Sequence, residues 1–140
     1  MPGFPAALVS HVAAEATSDG ASWLLKTWLE AGGALEAELV SPLLAAAGGS
    51  NRWATRLHTL QLLPRLTLDA SHRSLLEPWV RGSLQADNTF VRAWAFDAFW
   101  ELARVCPDLR EEAGLRVDDA EVAEAPSVQA RIRAIRKRPF

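Results

Sequence analysis

Residues 88–102 read NTFVRAWAFDAFWEL. If this run is a helix, capped by Asp87 or Asn88 and reaching about Val105, its faces can be assigned at about 100° per residue. Val91, Ala95, Ala98 and Leu102 fall in one narrow stripe. Trp94 and Phe99 flank that stripe, Phe90 and Phe96 lie further round, and Trp100 points away from it. A helix apolar on most sides is covered on most sides. The arc left over, holding Ala93, Asp97 and Arg104, is the one expected to face solvent.

The rest of the chain gives the same kind of signal. Ala, Leu, Glu and Arg favour helix, and strand-type alternation is hard to find. Stop and start residues divide the 140 residues into roughly eight helices. The first is expected over Phe4 to Ala16, ending at the TSDG stretch, Thr17 to Gly20. A second runs from near Ala21 to Ala31 and stops at Gly32 and Gly33; a third covers Ala34 to Ala47 before Gly48 and Gly49. Ser50 or Asn51 caps a fourth, to about Leu66, and Ser71 opens a fifth, to about Gln85. Beyond the quoted helix, Pro107 and Pro126 suit the first turns of the last two. Connections this short make neighbours antiparallel hairpins.

The hairpins repeat. Sliding the chain by 36 residues sets Leu39 on Leu75, Pro42 on Pro78, Asn51 on Asp87, Arg56 on Arg92 and Leu66 on Leu102. Each copy has a first helix with an interior proline and a second helix with an arginine in its second turn. Residues 33–66 and 71–105 are the clearest copies. Residues 107–137 form a divergent terminal copy, in which Arg131, Ala134 and Ile135 echo Arg92, Ala95 and Phe96 at a spacing of 39. Residues 4–31 make a further hairpin by length. End repeats diverge because one face meets solvent. An interior proline removes a backbone hydrogen bond, at a cost of ~3 kcal/mol. Its presence twice in one frame points to a bent first helix. The other reading is that Ser41-Pro42 and Glu77-Pro78 open new short helices.

The kinked first helix (Pro42, Pro78) and the stretch DNTFVRAWAFDAF, Asp87 to Phe99, resemble a HEAT repeat in the broad HEAT/armadillo sense. In that pattern an acidic or amide residue precedes a Val-Arg pair and then small and large apolar residues, as in Asp87, Val91, Arg92, Ala95 and Phe99. The stretch Asn51 to Leu63 departs from it, with Thr55 where valine is usual. The resemblance implies an all-α fold: one domain over 1–140, a short right-handed α-α superhelix, or solenoid, of about four helical hairpins. It also implies that second helices line a concave surface, and that Asn51, Arg56, Asp87 and Arg92 form a ladder between repeats.

Function classes are narrowed by exclusion. Net charge is −2, so no overall field draws in nucleic acid or an anionic membrane. The apolar runs are too short and interrupted to span a bilayer, and the start carries no secretory signal pattern. The single Cys106 excludes an internal disulfide framework and has no histidine beside it to make a nucleophile. A cytoplasmic setting is the default expectation. His11, His58 and His72 form no metal-ligand cluster, and Asp69 with His72 reads as capping at a helix start. HEAT-like di-iron hydroxylases carry His-Glu pairs that this chain lacks. No catalytic residue, cofactor or metal is therefore expected.

What remains is an interaction module for a protein partner, with self-association a further expectation. Arg56, Arg92, Asp97, Trp100 and Arg104 are its candidate contact residues, although the arginines equally suit a purely structural tie. The alternative is a DNA-binding or alkylation-repair protein, in which Trp53, Trp79, Trp94 and Trp100 stack on bases and Asp97 stabilises a developing cation. Against it, Arg52 to Arg110 carries eight basic and six acidic residues, a small excess for phosphate binding. Charge does segregate at the C-terminal end. Glu111 to Glu124 holds six acids against Arg116, and Arg131, Arg133, Arg136, Lys137 and Arg138 follow. The favoured reading pairs the last two helices, with Val128, Ile132 and Ile135 docking the final one. The other makes RIRAIRKR a contact for an acidic partner or nucleic acid.

Overall fold

The computed structural model describes residues 3–140, and among them the chain is helical, with eight α-helices and no strand. It divides between Thr67 and Leu68 into two compact units.

The first unit holds α1 (Phe4–Ala13), α2 (Ser18–Glu30), α3 (Ala37–Gly48) and α4 (Trp53–Leu62). α1 stops short of Ala16 because Ala14 is extended and the Thr17 hydroxyl donates to the freed His11 carbonyl at 2.8 Å. The TSDG stretch is not a break throughout: Ser18, Asp19 and Gly20 form the first turn of α2, where Asp19 suits the positive end of the helix dipole. α2 closes as expected on a glycine. Gly32 takes φ +104°, and the amides of Gly32 and Gly33 return to the carbonyls of Leu29 and Trp28. α4 ends at Leu62 rather than Leu66, since Pro64 supports only a 3-10 turn over Leu63–Arg65. α1 packs on α2 and α3, and α2 packs on α4. First helices thus meet each other, as do second helices. Leu25, Leu29, Leu43, Leu44 and Leu60 are fully buried, each contributing roughly 1.5–3 kcal/mol by leaving water.

The second unit begins at a cap. Asp69 Oδ1 accepts from the Ser71 amide at 2.8 Å while His72 Nδ1 accepts from the Asp69 amide at 3.0 Å, so this pair is used in capping as its position predicts. A 3-10 turn (Ala70–His72) then leads into α5 (Arg73–Ser83). α6 (Thr89–Val105) follows, capped by Asn88, whose Oδ1 accepts from the amides of Phe90 and Val91. After a 3-10 turn at Pro107–Leu109 come α7 (Arg110–Ala123) and α8 (Pro126–Ile135). Pro42 and Pro78 each occupy the sixth position of their helices, α3 and α5; neither opens a new helix.

α6 packs on α5, α7 and α8, which accounts for its apolar circumference. The stripe of Val91, Ala95, Ala98 and Leu102 is buried as expected. The arc expected to face solvent is not: Ala93 and Asp97 are buried, and Arg104 alone of the three is exposed. The reason is α8. Ala93 belongs to a cluster with Val117, Ala120, Val128, Ile132 and Ile135, against which Phe96 and Trp100 pack. A small side chain at position 93 is what lets α8 come close.

Candidate interaction surface

Arg56 and Arg92 are held by their own loops. Arg56 Nε donates to the Ser50 carbonyl at 2.8 Å; Arg92 Nη1 donates to the Ala86 and Asp87 carbonyls at 2.9 and 3.0 Å. Each guanidinium closes the turn that leads into its own helix, satisfying carbonyls that no helix can. Arg92 also reaches the next hairpin, with Nε 3.0 Å from Glu124 Oε2. Asn51 and Asp87, expected as their ladder partners, are exposed, and Asp87 joins the Arg92 contact through its backbone carbonyl.

Asp97 has no exposed surface and is closed by two arginines from further along the chain. Arg131 Nη1 lies 3.3 Å from its Oδ2, and Arg138 Nη2 lies 2.8 Å from its Oδ1. Arg131 is also seated over the Trp94 ring, 4.2 Å from its centroid, so Trp94 is already occupied by a cation. One turn on, Glu101 takes Arg104 at 3.1 Å and lies 3.7 Å from Arg138. Trp100 is partly buried under the end of the chain: its Nε1 donates to the Arg138 carbonyl at 3.3 Å, and its indole stacks on Phe140 at 4.1 Å. Of the five candidate contact residues, Asp97, Trp100 and Arg104 come together on α6, while Arg56 and Arg92 serve their loops. Arg104 is the exposed member.

The segregated C-terminal charge is used twice. Arg136 Nη2 bridges Asp118 at 2.6 Å and Glu121 at 2.8 Å, the pairing of α7 with the segment after it that the sequence favours. Arg131 and Arg138 turn instead to α6, because a buried carboxylate without a counter-charge would cost more than any surface pair returns.

Two polar groupings escape the sequence reading. In the first unit, Asp19 takes Arg52 at 2.5 Å and the Thr55 hydroxyl at 2.7 Å; Arg52 first and Thr55 second hold its carboxyl down at about 2. Beside it, Ser22 Oγ lies 2.9 Å from His58 Nδ1 and 3.1 Å from the Asp19 carbonyl. A single hydroxyl proton serves one of those acceptors at a time. Burial, then nearby Lys26, pushes the His58 imidazole below its ordinary range. Asp19 to Thr55 and Ser22 to His58 are both separated by 36 residues, so extending the repeat into the first hairpin would have found them. In the second unit, Glu112 accepts from Arg81 in a fork at 2.6 and 2.8 Å and from Arg116 at 2.8 Å, and its carboxyl falls to about 2, chiefly through Arg81. Both guanidinium groups also cover the Phe99 ring, at 5.1 and 5.5 Å. These are inter-helix ties, with every charge answered.

Among the described residues no group of His, Cys, Asp and Glu could hold a metal ion, and no helix is long and apolar enough to cross a membrane. Cys106 is buried. Large apolar side chains are nevertheless exposed on three second helices: Trp23 and Leu24 on α2, Trp53 at the start of α4, and Phe90 on α6. Comparison of the chain with protein-family models, with curated proteins and with solved structures gives no match.

Proposed function

We propose that this chain is a HEAT-like helical-repeat protein that works as a non-catalytic interaction module for a protein partner, which it contacts through its second helices. The observation that carries the reading is the register of second helices packed on each other. In the first unit α2 meets α4 through Asp19–Thr55 and Ser22–His58, both 36 residues apart; in the second α6 meets α8 through Trp94–Arg131, 37 apart. A near-constant offset is what stacking of equivalent hairpins produces.

The exposed aromatics support a binding role. Trp23, Trp53 and Phe90 all lie on second helices, and a large exposed aromatic side chain is the kind that anchors an interface. The DNA-repair alternative loses support, since Asp97 is enclosed by two arginines and Trp94 is covered by one of them. A reducing, cytoplasmic setting belongs to the same proposal and rests on the single cysteine.

Chemical crosslinking of the full chain in its native extract tests the reading. Trp53→Ala with Phe90→Ala, both at exposed sites, should remove most of a specific crosslinked partner while the far-UV spectrum stays helical. An unchanged crosslinking pattern in the folded variant defeats the proposal.

A further inference from the structure

The last residues lie on α6 in the manner of a bound peptide. Arg138 sends Nη2 to Asp97 at 2.8 Å, with Nη1 3.7 Å from Glu101, and its carbonyl accepts from Trp100 Nε1 at 3.3 Å. Two residues later the Phe140 ring stacks on Trp100, centroids 4.1 Å apart and planes 21° apart, with the Arg110 guanidinium 5.3 Å from the same ring. The seat therefore reads three features in order: a guanidinium, a backbone carbonyl and an aromatic face. Its recognising groups, the carboxylates of Asp97 and Glu101 and the indole N–H and ring of Trp100, stand at i, i+4 and i+3 on one helix, α6.

The segment is tied down by Arg136 and Arg138 but only partly enclosed. α8 ends at Ile135, Arg136 and Lys137 are exposed, and Phe140 remains 36% exposed while stacked. Arg138 Nε is enclosed without a hydrogen-bond partner, so this arginine fits its seat imperfectly. A segment that satisfied all the guanidinium donors would compete well.

We propose that Asp97, Trp100 and Glu101 form a recognition site for peptides with an arginine followed two residues later by an aromatic ring, and that the chain's own Arg138–Phe140 occupies it as an intramolecular competitor. The proposal rests on the interaction-module reading and names the partner's chemistry. Tethering gives the resident segment a high effective concentration, so an external peptide binds only weakly until that segment is removed.

The probe is a fluorescent peptide of residues 134–140, read by anisotropy against the intact chain and against full-length chain carrying Arg138→Ala and Phe140→Ala. The double variant should bind the probe at least roughly tenfold more tightly than the intact chain, with affinity falling as salt rises, and a probe carrying Arg138→Ala should not bind. Equal binding by both chains, or no binding by a double variant with intact helical signal, overturns the site. If the double variant loses helix, the Phe140→Ala chain, which keeps both ion pairs, serves instead: tighter probe binding supports the site and unchanged binding overturns it. The probe requires no partner protein, so this result and the crosslinking result succeed or fail separately.

Discussion

Arg56 and Arg92 each return a guanidinium to the carbonyl six residues upstream, Ser50 at 2.8 Å and Ala86 at 2.9 Å. The two donors are 36 residues apart, and so are the two acceptors. The sequence therefore repeats a loop-closing device, in which one long side chain fixes how the chain enters the second helix of each hairpin. A HEAT-type ladder would have these arginines joining repeats. Arg92 carries a further tie, to Glu124 at 3.0 Å in the hairpin that follows it.

That difference predicts unequal costs. Arg92→Ala removes two carbonyl contacts and an ion pair, and should destabilise the chain by about 1–2 kcal/mol; Arg56→Ala, with one carbonyl contact, should cost about half as much. Arg92→Lys should behave nearly as badly as alanine, because a single ammonium cannot reproduce the fork. Urea denaturation of the three variants measures the order. Faster amide exchange over 84–88 in the Arg92 variants would locate the loss in the loop, and an Arg56→Ala cost equal to that of Arg92→Ala would contradict the assignment.

Asp97 offers a sharper test of why the end of the chain folds onto α6. Replacing Arg131 and Arg138 together with alanine leaves a fully buried carboxylate without either guanidinium, and should cost on the order of 3 kcal/mol or more. Adding Asp97→Asn to that double variant should restore part of the loss, since the orphaned charge is then gone. A triple variant no more stable than the double would show that lost packing of the arginine stems, rather than charge, dominates.

What could be read from the sequence follows physical range. The presence of eight helices, the glycine stop at Gly32, the Asp69–His72 cap and the buried stripe of α6 depend on neighbours within a few residues and follow the expectations. By contrast, α4 begins behind Arg52 with no side-chain cap from Ser50 or Asn51. Wheel geometry failed at Ala93 and Asp97. A helical wheel shows which residues share an arc, but not whether a later helix covers that arc, and a lone aspartate looks solvated until its arginines arrive from 34 and 41 residues away. The cover of Trp100, by the α8 cluster and by Phe140, likewise comes from residues no wheel shows. The contacts at the repeat spacing, Ser22–His58 and Asp19–Thr55, were within reach once the 36-residue offset was extended to the first hairpin.

The stop after α2 gives a local prediction. Gly32 sits at φ +104°, so Gly32→Ala should cost about 1–2 kcal/mol in backbone strain. At Gly33 the obstacle is different: an added Cβ would run into the Trp28 indole, which packs edge-on against Phe4 with centroids 5.8 Å apart. Gly33→Ala should therefore disturb the aromatic pair as well as stability, visible as a changed near-UV tryptophan signal. Gly32→Ala should leave that signal alone.

Acid should unfold the chain in two stages, in a direction set by depressed pKa values. His58 is pushed below its ordinary 6.5 by burial, so its neutral form favours the fold above that pH, and that contribution is lost as pH falls through the lowered value. Asp19 and Glu112 are held at about 2 against ordinary values of 3.8 and 4.5. Their contribution is complete above those ordinary values and disappears as pH falls from about 4.5 toward 2. Melting temperature should thus hold level above neutrality, dip below pH 6.5 and drop again in the acid range. His58→Asn, which keeps a polar group facing Ser22, should erase the first dip and spare the second; Asp19→Asn should shrink the second and spare the first. A first dip that survives His58→Asn would contradict its assignment to that imidazole.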